Sequence, residues 1–421
     1  MIVSIYHCLI DYSLMSEKLS LLMVSFHFPP ISQSSGYLRA LKFAKYLPEY
    51  NVEPTILTVN LRAYKLIDLE NSKLLNQLDN NIEIHKAQCW DSSKHFAIFG
   101  KYFSWLAMPD KWVSWIPFGI IKGWQLNKKK KFDALWVTYP ISSALFIGYF
   151  LAKLTKKILY VDLRDPVWEE ETWDNTTQQK ILRWIENKII YQAEKIIFTS
   201  PGTIEKYKNR YSESVHAKFV LITNGYDEDD FQELLTLPKP AKKVFLHSGL
   251  LPKYERDPSC FFQAILELKN EGILNGDDIL FRFRATGHDE TYHKLIRKLN
   301  IADLVELAER KDYKYALSEM YTADVLMIFQ HRTCDWQIPA KLFEYFRVQK
   351  PLLVLAGKNS DTLAVLKTSK ATYFQSEIDD IANIKIAIKD ILTNNKTANV
   401  SSVLFSREKC TENFANILLS S

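Results

Sequence analysis

The sequence lacks the features that mark several common classes of protein. Its five cysteines are scattered over 421 residues without a CxxC pair, which gives no support for a zinc site or a disulfide framework. It has no run of about 18 apolar residues, so we expect no transmembrane helix. No GxGxxG pattern follows the first predicted strand, which argues against a nicotinamide dehydrogenase.

Composition and charge are those of an ordinary globular protein. Hydrophobic residues make up 47% of the chain and charged residues 24%, and the formal net charge of +5 is too mild to require nucleic acid as a partner. Because no metal triad and no DxD pattern stands in a suitable place, we expect no metal and no cofactor. The scattered cysteines fit a reducing compartment, so the predicted location is cytoplasmic.

Strand and helix patterns alternate through both halves of the chain, which predicts an α/β protein with two Rossmann-like domains. The length suffices for two or three domains with sizeable cores. Two prolines mark the predicted linker between the halves. The predicted parts are a loose N-terminal extension (1–19), a first domain (20–234), a linker (235–243), a second domain (244–400) and a C-terminal helix (401–421).

Residues 337–346 lie between two apolar runs of strand length, and the pattern predicts a βαβ unit. Pro339 suits the first turn of the helix, where its missing N–H would be unpaired anyway. Lys341 and Glu344 are three residues apart, so they share one face near the helix start. A lysine at the positive end of a helix can bind phosphate, and a carboxylate one turn on can bind ribose hydroxyls. The pattern predicts a nucleotide diphosphate site; spacing alone equally allows a surface Lys–Glu pair.

The same segment, Pro339-x-Lys341-x-x-Glu344, resembles the donor-binding signature of GT-B glycosyltransferases of the family 4 type, among them bacterial polysaccharide-type enzymes. The resemblance implies two Rossmann-like domains that face each other across a cleft, with the last helix crossing back to the first domain. It implies a hexosyltransferase that uses a nucleotide diphosphate sugar as donor. In that family the lysine binds the diphosphate and the glutamate binds the ribose. Many members carry an acid eight positions before this glutamate, where this chain has Trp336 beside Asp335.

Other segments match the same family with less specific motifs. Gly36 and Arg39 stand where the family has a Gly-rich loop and a nearby arginine, with one glycine fewer here. Gly249 begins a loop from which relatives bring a basic residue onto the donor phosphates. Our first choice for that residue is Arg256, and Lys253 is the second.

Arg164 and Asp165 follow a predicted strand, and α/β folds bind ligands just past the carboxyl ends of their strands. Asp165 stands about where relatives often carry a catalytic-site histidine, and it would act as a base in an inverting enzyme or hold the sugar in a retaining one. The alternative is that both residues only form ion pairs within a loop. Asn224 opens an Asn-Gly-x-Asp pattern similar to the end of the first domain in the family, with an expected structural role at the cleft.

Five of the ten tryptophans lie between residues 89 and 124, and four consecutive lysines follow at 128–131. Aromatic residues beside a lysine run suit a surface that meets anionic lipid headgroups. The alternative is a pair of aromatic-rich core helices followed by a solvated turn. The membrane interpretation predicts a peripheral enzyme on the inner face of the membrane, with a glycan or lipid-linked glycan as acceptor.

Two other functions are compatible with these motifs. A sugar-nucleotide epimerase can have the same fold, although it would need acid and base carboxylates that the sequence does not single out. A degenerate transferase that acts as a partner subunit is the non-enzymatic alternative, and nucleotide binding without sugar turnover would favour it.

Overall fold

The computed structural model describes residues 18–30, 36–64, 74–95, 104–169, 176–394 and 402–420. The chain forms two compact units. The first takes in Met1–Thr199, Thr203–Thr223 and Arg407–Ser421, and the second takes in Ser200–Gly202 and Asn224–Ser406. The predicted extension over 1–19 lies almost wholly outside the described residues.

The first unit contains a parallel sheet of seven strands. Their bounds are β1 Leu19–Val24, β2 Val52–Val59, β3 Ile84–Ala87, β4 Ala134–Thr138, β5 Ile158–Leu163, β6 Lys195–Phe198 and β7 Phe219–Leu221. The strand order is β3-β2-β1-β4-β5-β6-β7, and every neighbouring pair is parallel. The central strands are apolar on both faces, as expected where helices cover both faces of a sheet. The helices along this part of the chain are α1 Gly36–Tyr46, α2 Ser92–His95, α3 Trp115–Lys130, α4 Ser142–Thr155, α5 Thr176–Gln192 and α6 Pro201–Arg210.

The second unit contains a parallel sheet of six strands. Their bounds are β8 Lys243–Ser248, β9 Ile279–Arg284, β10 Val305–Ala308, β11 Val325–Phe329, β12 Leu352–Leu355 and β13 Tyr373–Ser376. The order is β10-β9-β8-β11-β12-β13, again with parallel pairs throughout. Its helices are α7 Ser259–Asn270, α8 Asp289–Lys298, α9 Tyr313–Thr322, α10 Lys341–Val348, α11 Asp361–Ser369 and α12 Ile381–Thr393.

In both sheets the strand order reverses beside the first strand of the unit, at β1 and at β8. This is the Rossmann arrangement, in which ligands bind outside the carboxyl ends of the strands at the point of reversal. The predicted pair of Rossmann-like domains is therefore confirmed, and each unit has one edge where a ligand site is expected.

The last helix, α13 Arg407–Leu419, belongs to the first unit, as predicted. Its Phe414 is buried against Phe43 of α1, with ring centroids 5.0 Å apart, and it also contacts Trp136 of β4. The thiol of Cys410 lies 3.6 Å from the carbonyl oxygen of Thr223, where the chain leaves the unit. Apolar burial on one side of α13 therefore holds it to the first unit.

The unit boundaries lie at Thr223/Asn224 and at Ser406/Arg407, whereas the sequence placed them near 234 and 401. The difference arises because residues just after Asn224 pack with the second unit. Tyr226 and Phe231 are buried in the same apolar cluster as the strands β8 and β11.

Local predictions differ from the structure in a few places. The helix predicted over 337–346 begins at Lys341, so Pro339 precedes it, and the carbonyl oxygen of Pro339 accepts a hydrogen bond from the N–H of Leu342 at 2.9 Å. The strands β3 and β13 were not predicted, because each has only four residues and lies at the edge of its sheet.

Candidate functional site

Lys341 lies at the carboxyl edge of the second sheet, where the strand order reverses. Its Nζ atom is 3.0 Å from Nε2 of His247 in β8. Gly249 follows that strand with a φ of +120°, and a Cβ atom there would come within 2.9 Å of the Lys341 Nζ. Both the backbone conformation and the close approach therefore require glycine at this position. Tyr345, one turn further along α10, is buried, and its hydroxyl accepts a hydrogen bond from the N–H of Ser248 at 3.3 Å.

The electrostatics of this edge favour an anion. Nδ1 of His247 is 3.0 Å from the carbonyl oxygen of Met327, so Nδ1 carries the proton and Nε2 accepts from Lys341. Burial and the charge of Lys341 hold the pKa of His247 well below its ordinary value. Burial and the charge of Arg256 lower the pKa of Lys341 to about 7, against a smaller opposing effect of Glu344. The hydrogen-bond partner of the lysine is thus a neutral imidazole, and an entering anion would stabilise the charged ammonium.

The loop after Gly249 brings Arg256 close enough to influence both Lys341 and His247 electrostatically. Two hydrogen bonds to the carbonyl oxygen of Pro252, from the N–H groups of Glu255 and Arg256, fold this loop into a turn. Nε of Arg256 is buried and has no hydrogen-bond partner among the residues that the structure describes. Buried polar atoms are normally paired, so an unpaired donor that acts electrostatically on Lys341 is a candidate group for binding an anion. Lys253, the second choice from the sequence, is exposed.

Glu344 is half-buried in the first turn of α10, as the sequence predicted. One of its carboxylate oxygens accepts a hydrogen bond of 2.8 Å from the hydroxyl of Tyr313, the first residue of α9. The tyrosine therefore holds the direction of the carboxylate. The lysine and the glutamate therefore present a cationic and an anionic group at the start of the same helix.

The loop before α10 is held by a buried amide. Nε2 of Gln330 donates to the carbonyl oxygens of Cys334 and Gln337, the latter at 2.9 Å. Within this loop Asp335 lies against the backbone of Gly357, and burial raises its pKa. Trp336 donates its indole N–H to the carbonyl oxygen of Thr333 in the same loop.

At the first sheet, Arg39 forms a buried ion pair with Asp162 of β5. The sequence had instead predicted that Arg39 lies in a ligand-binding cleft. The two side chains are 3% and 0% exposed, with the closest N–O distance at 2.9 Å. Arg39 also donates to the carbonyl oxygens of Ile222 and Thr223, and Thr138 donates to Asp162. Every nitrogen of the guanidinium is engaged, so Arg39 is a structural residue that joins α1, β5 and the end of the unit.

Arg164, Gly36 and His27 converge at the carboxyl edge of the first sheet. The guanidinium of Arg164 lies against Gly36 at the start of α1, and its Nε donates to the carbonyl oxygen of Tyr139 at 2.7 Å. Burial and the charge of Arg164 lower the pKa of His27 to about 4. Nδ1 of this neutral imidazole is buried and, within the described part of the chain, has no hydrogen-bond partner. Sequence analysis missed His27 and His247, although both stand at the carboxyl ends of strands beside a reversal of strand order.

Asp165 follows β5 directly and is exposed at the same edge, as predicted. Its charge raises the pKa of Tyr139 together with burial, so the carboxylate lies near the residues of this edge. Asn224 is half-buried at the first position of the second unit. The motif that it opens has a structural role there, because Asp227 is buried and caps the turn Glu228–Phe231.

Among the described residues, no group of three or more His, Cys, Asp or Glu side chains could hold a metal ion. The helices in the same described ranges are all too short or too polar to cross a membrane.

The sequence matches no protein-family model and no curated protein. The structure, in contrast, is similar to solved structures over nearly its whole length. HepE from Anabaena in complex with UDP and glucose has a TM-score of 0.64 at 15% identity, covering 96% of this chain and 100% of that chain. Sucrose-phosphate synthase from Thermosynechococcus elongatus has a TM-score of 0.68 at 12% identity, covering 96% and 99%. A UDP-GlcNAc 2-epimerase from Methanocaldococcus jannaschii has a TM-score of 0.56 at 13% identity, covering 96% and 100%.

The fold is GT-B. At these identities the likeness establishes the two-domain α/β architecture and nothing about the reaction. Within the GT-B fold, the two edges described above are the places where the strand order of each sheet reverses.

Proposed function

We propose that this protein is a glycosyltransferase that transfers a hexose from a nucleoside diphosphate sugar to a hydroxyl group of a glycan acceptor. The observation that carries the proposal is the position of Lys341, which begins α10 beside the neutral His247 and near the unpaired Nε of Arg256. One structural neighbour, HepE, has solved structures with UDP-glucose and with UDP, which are ligands of this class. The motif around Lys341 and Glu344 also supports a family 4-type enzyme.

The proposed chemistry uses the second unit to stabilise the leaving group. When the bond between the anomeric carbon and the diphosphate oxygen breaks, negative charge develops on the diphosphate. Lys341, Arg256 and the positive end of α10 would interact more strongly with that charge as the bond breaks, which lowers the barrier. Glu344, whose carboxylate is oriented by the hydroxyl of Tyr313, would accept hydrogen bonds from the ribose hydroxyls.

The residues proposed for the acceptor hydroxyl belong to the first unit. Asp165 is exposed at the carboxyl edge and can accept a proton or a hydrogen bond. In an inverting reaction it would take the proton of the attacking hydroxyl, and in a retaining reaction it would hold the sugar. His27, a neutral imidazole with an unpaired Nδ1, is a further hydrogen-bonding group at this edge.

The test is to incubate the purified protein with a panel of nucleotide sugars and soluble glycan acceptors, and to measure the released nucleoside diphosphate together with the glycosylated product. We expect release that depends on the acceptor. A sugar nucleotide that changes its stereochemistry without an acceptor would instead identify an epimerase, which has the same fold among the structural neighbours. Tight binding of nucleotide sugars without any turnover would identify a partner subunit.

A further inference from the structure

Three neighbouring helices of the first unit, α3, α4 and α5, form one continuous outer surface. A close approach joins α3 to α4, because a Cβ atom at Gly119 would collide with the side chain of Ile147. Stacking joins α4 to α5, where the rings of Phe146 and Trp184 have centroids 5.8 Å apart. The inner sides of all three helices lie in one apolar core. We call the outer sides of α3, α4 and α5 together the helical face.

The helical face exposes large apolar side chains and cations but no carboxylate. Glu186 is the single acidic residue in the three helix sequences, and it is fully buried, where it accepts hydrogen bonds from Trp168, Tyr207, Tyr211 and Arg210. Leu154 is 55% exposed and Ile121 is 52% exposed, so the face presents aliphatic as well as aromatic side chains. The exposed apolar residues of the face are Ile121, Trp124, Phe150, Leu154, Trp184 and Tyr191.

Two lysines of the face stand beside aromatic rings, of which Trp124 is exposed and Tyr149 is buried. Nζ of Lys128 is 3.6 Å from the ring centroid of Trp124, and Nζ of Lys153 is 4.9 Å from that of Tyr149. Both lysines lie in the last turns of their helices. In contrast, Lys130 points away to an ion pair with Glu83 at 2.9 Å, so the lysine run divides between two directions. The run ends α3 and does not form the solvated turn considered from the sequence.

Of the five tryptophans that suggested a membrane surface in the sequence, Trp115 is buried, Trp90 and Trp112 are half-buried, and Trp105 and Trp124 are exposed. Trp115 is fully buried, and Trp112 donates its indole N–H to the carbonyl oxygen of Ala63 at 3.1 Å. Among these tryptophans, Trp124 lies on the helical face. The other exposed apolar residues of the face are Ile121 of the same helix and residues of α4 and α5.

We propose that the helical face binds an anionic lipid bilayer. Exposed aliphatic and aromatic side chains can enter the headgroup region while neighbouring lysines contact lipid phosphates. A nucleic acid would use the lysines and the rings but would leave Ile121 and Leu154 in water, so the bilayer is the better match. Together with the proposed function, on which this part rests, bilayer binding places the enzyme beside acceptors that are linked to lipid. The binding itself can be tested without the reaction.

The first experiment is flotation of the full chain with vesicles of phosphatidylcholine alone or mixed with phosphatidylglycerol. The variant Lys128→Gln/Lys153→Gln removes two lysines from the face. Its matched control, Lys298→Gln/Lys367→Gln, removes two lysines from the last turns of α8 and α11 in the second unit. We expect about thirtyfold weaker partition for the first pair, from roughly 1 kcal/mol per lysine, and no change for the control. Equal partition of both variants, or no partition of the wild type, overturns the proposal.

The second experiment tests the apolar part of the face at high salt, where the lysines contribute little. The variant Phe150→Ser/Leu154→Ser should lose the partition that remains for the wild type, whereas Ile386→Ser, an exposed aliphatic residue of α12, should not. Partition that salt abolishes completely, together with tight binding to a single-stranded RNA homopolymer, would identify a nucleic acid surface instead. Turnover with a water-soluble acceptor should be unchanged in all these variants, so a failure of the proposed reaction is distinguishable from a failure of membrane binding.

Discussion

The ammonium group of Lys341 donates a hydrogen bond to an imidazole whose protonation state is fixed by the backbone. Nδ1 of His247 is bound to the carbonyl oxygen of Met327, so Nε2 can only accept. The hydrogen-bond partner of the lysine is therefore a neutral group, and Glu344 is the carboxylate that acts on its charge. Four predictions follow from this relationship and its neighbours, and two more concern the first unit.

Replacement of Lys341 by alanine should weaken nucleoside diphosphate binding without unfolding the protein. A charge-assisted hydrogen bond contributes about 1.5–3 kcal/mol, so titration calorimetry with UDP should show roughly ten- to hundredfold lower affinity. Lys358→Ala, at an exposed position of the same unit, is the control and should bind as the wild type does. Unchanged affinity in Lys341→Ala would remove the lysine from the site.

Nucleoside diphosphate binding should weaken as the pH rises above about 7, because the pKa of Lys341 is about 7 and the diphosphate prefers the charged ammonium. Binding at pH 8 should therefore take up protons, which calorimetry in two buffers of different ionisation enthalpy measures. The charged groups that face the lysine are Arg256 and Glu344, and His247 stays neutral in this range. The variant Lys341→Met should show no such uptake.

The same pKa shift predicts how stability depends on pH. The pKa of Lys341 is lower in the folded chain than its ordinary value of 10.5, so the unfolded chain binds more protons between about pH 7 and 10.5. Below about pH 7 the buried charge of Lys341 lowers the free energy of unfolding by its full amount. This destabilisation disappears as the pH rises from about 7 to 10.5. Lys341→Met should therefore be more stable than the wild type at pH 6.

Loss of the Glu344 carboxylate should reduce the affinity for UDP while leaving the affinity for inorganic pyrophosphate unchanged. The reason is that Glu344 is proposed to bind ribose hydroxyls, which pyrophosphate lacks. Tyr313→Phe removes the hydroxyl that orients the carboxylate and should give a smaller loss in the same direction. Equal losses for the two ligands in Glu344→Ala would place the glutamate at the phosphates.

The variant Asp165→Asn should nearly abolish transfer and leave nucleotide binding intact. Asp165 lies at the edge of the first sheet, whereas the proposed phosphate ligands belong to the second unit. Product formation and UDP calorimetry on the same preparation separate the two effects. Asp277→Asn, at an exposed position of the second unit, serves as the control. Near-normal turnover of Asp165→Asn would exclude a catalytic role.

Breaking the buried pair of Arg39 and Asp162 should destabilise the first unit by about 3–5 kcal/mol, because the remaining charge would be buried without its partner. Urea unfolding of Asp162→Asn measures the loss. The exposed pair Lys294–Glu290 offers the contrast, since Lys294→Met should change the free energy of unfolding by less than about 1 kcal/mol. Similar values for both variants would show that Arg39 is not held as described.

The sequence predicted the architecture well because buried parallel strands are continuous apolar runs. The motif at 337–346 also predicted that Lys341 and Glu344 share the start of one helix, since residues three apart lie on one helix face. The sequence could not predict the role of Arg39. Its ion-pair partner Asp162 is 123 residues away, and nothing in the residues around Arg39 indicates that carboxylate. His247 was missed for the same reason: a histidine inside an apolar strand is usually a core residue, and its contact with Lys341 spans 94 residues.

The aromatic segment shows the other limit of sequence analysis. Composition predicted an amphipathic surface, but which tryptophans are exposed depends on how the helices pack. Trp115 and Trp124 are nine residues apart on α3, and their opposite exposure follows from the side of the helix that faces α4 and the sheet.

The return of α13 to the first unit affects the order in which a ribosome can complete the two units. Nearly all of the second unit is one continuous segment, Asn224–Ser406, and it is synthesised before Arg407. The core around Phe43 and Trp136 lacks Phe414 until α13 has left the ribosome. The part of the chain that is translated first is therefore the part that completes its core last.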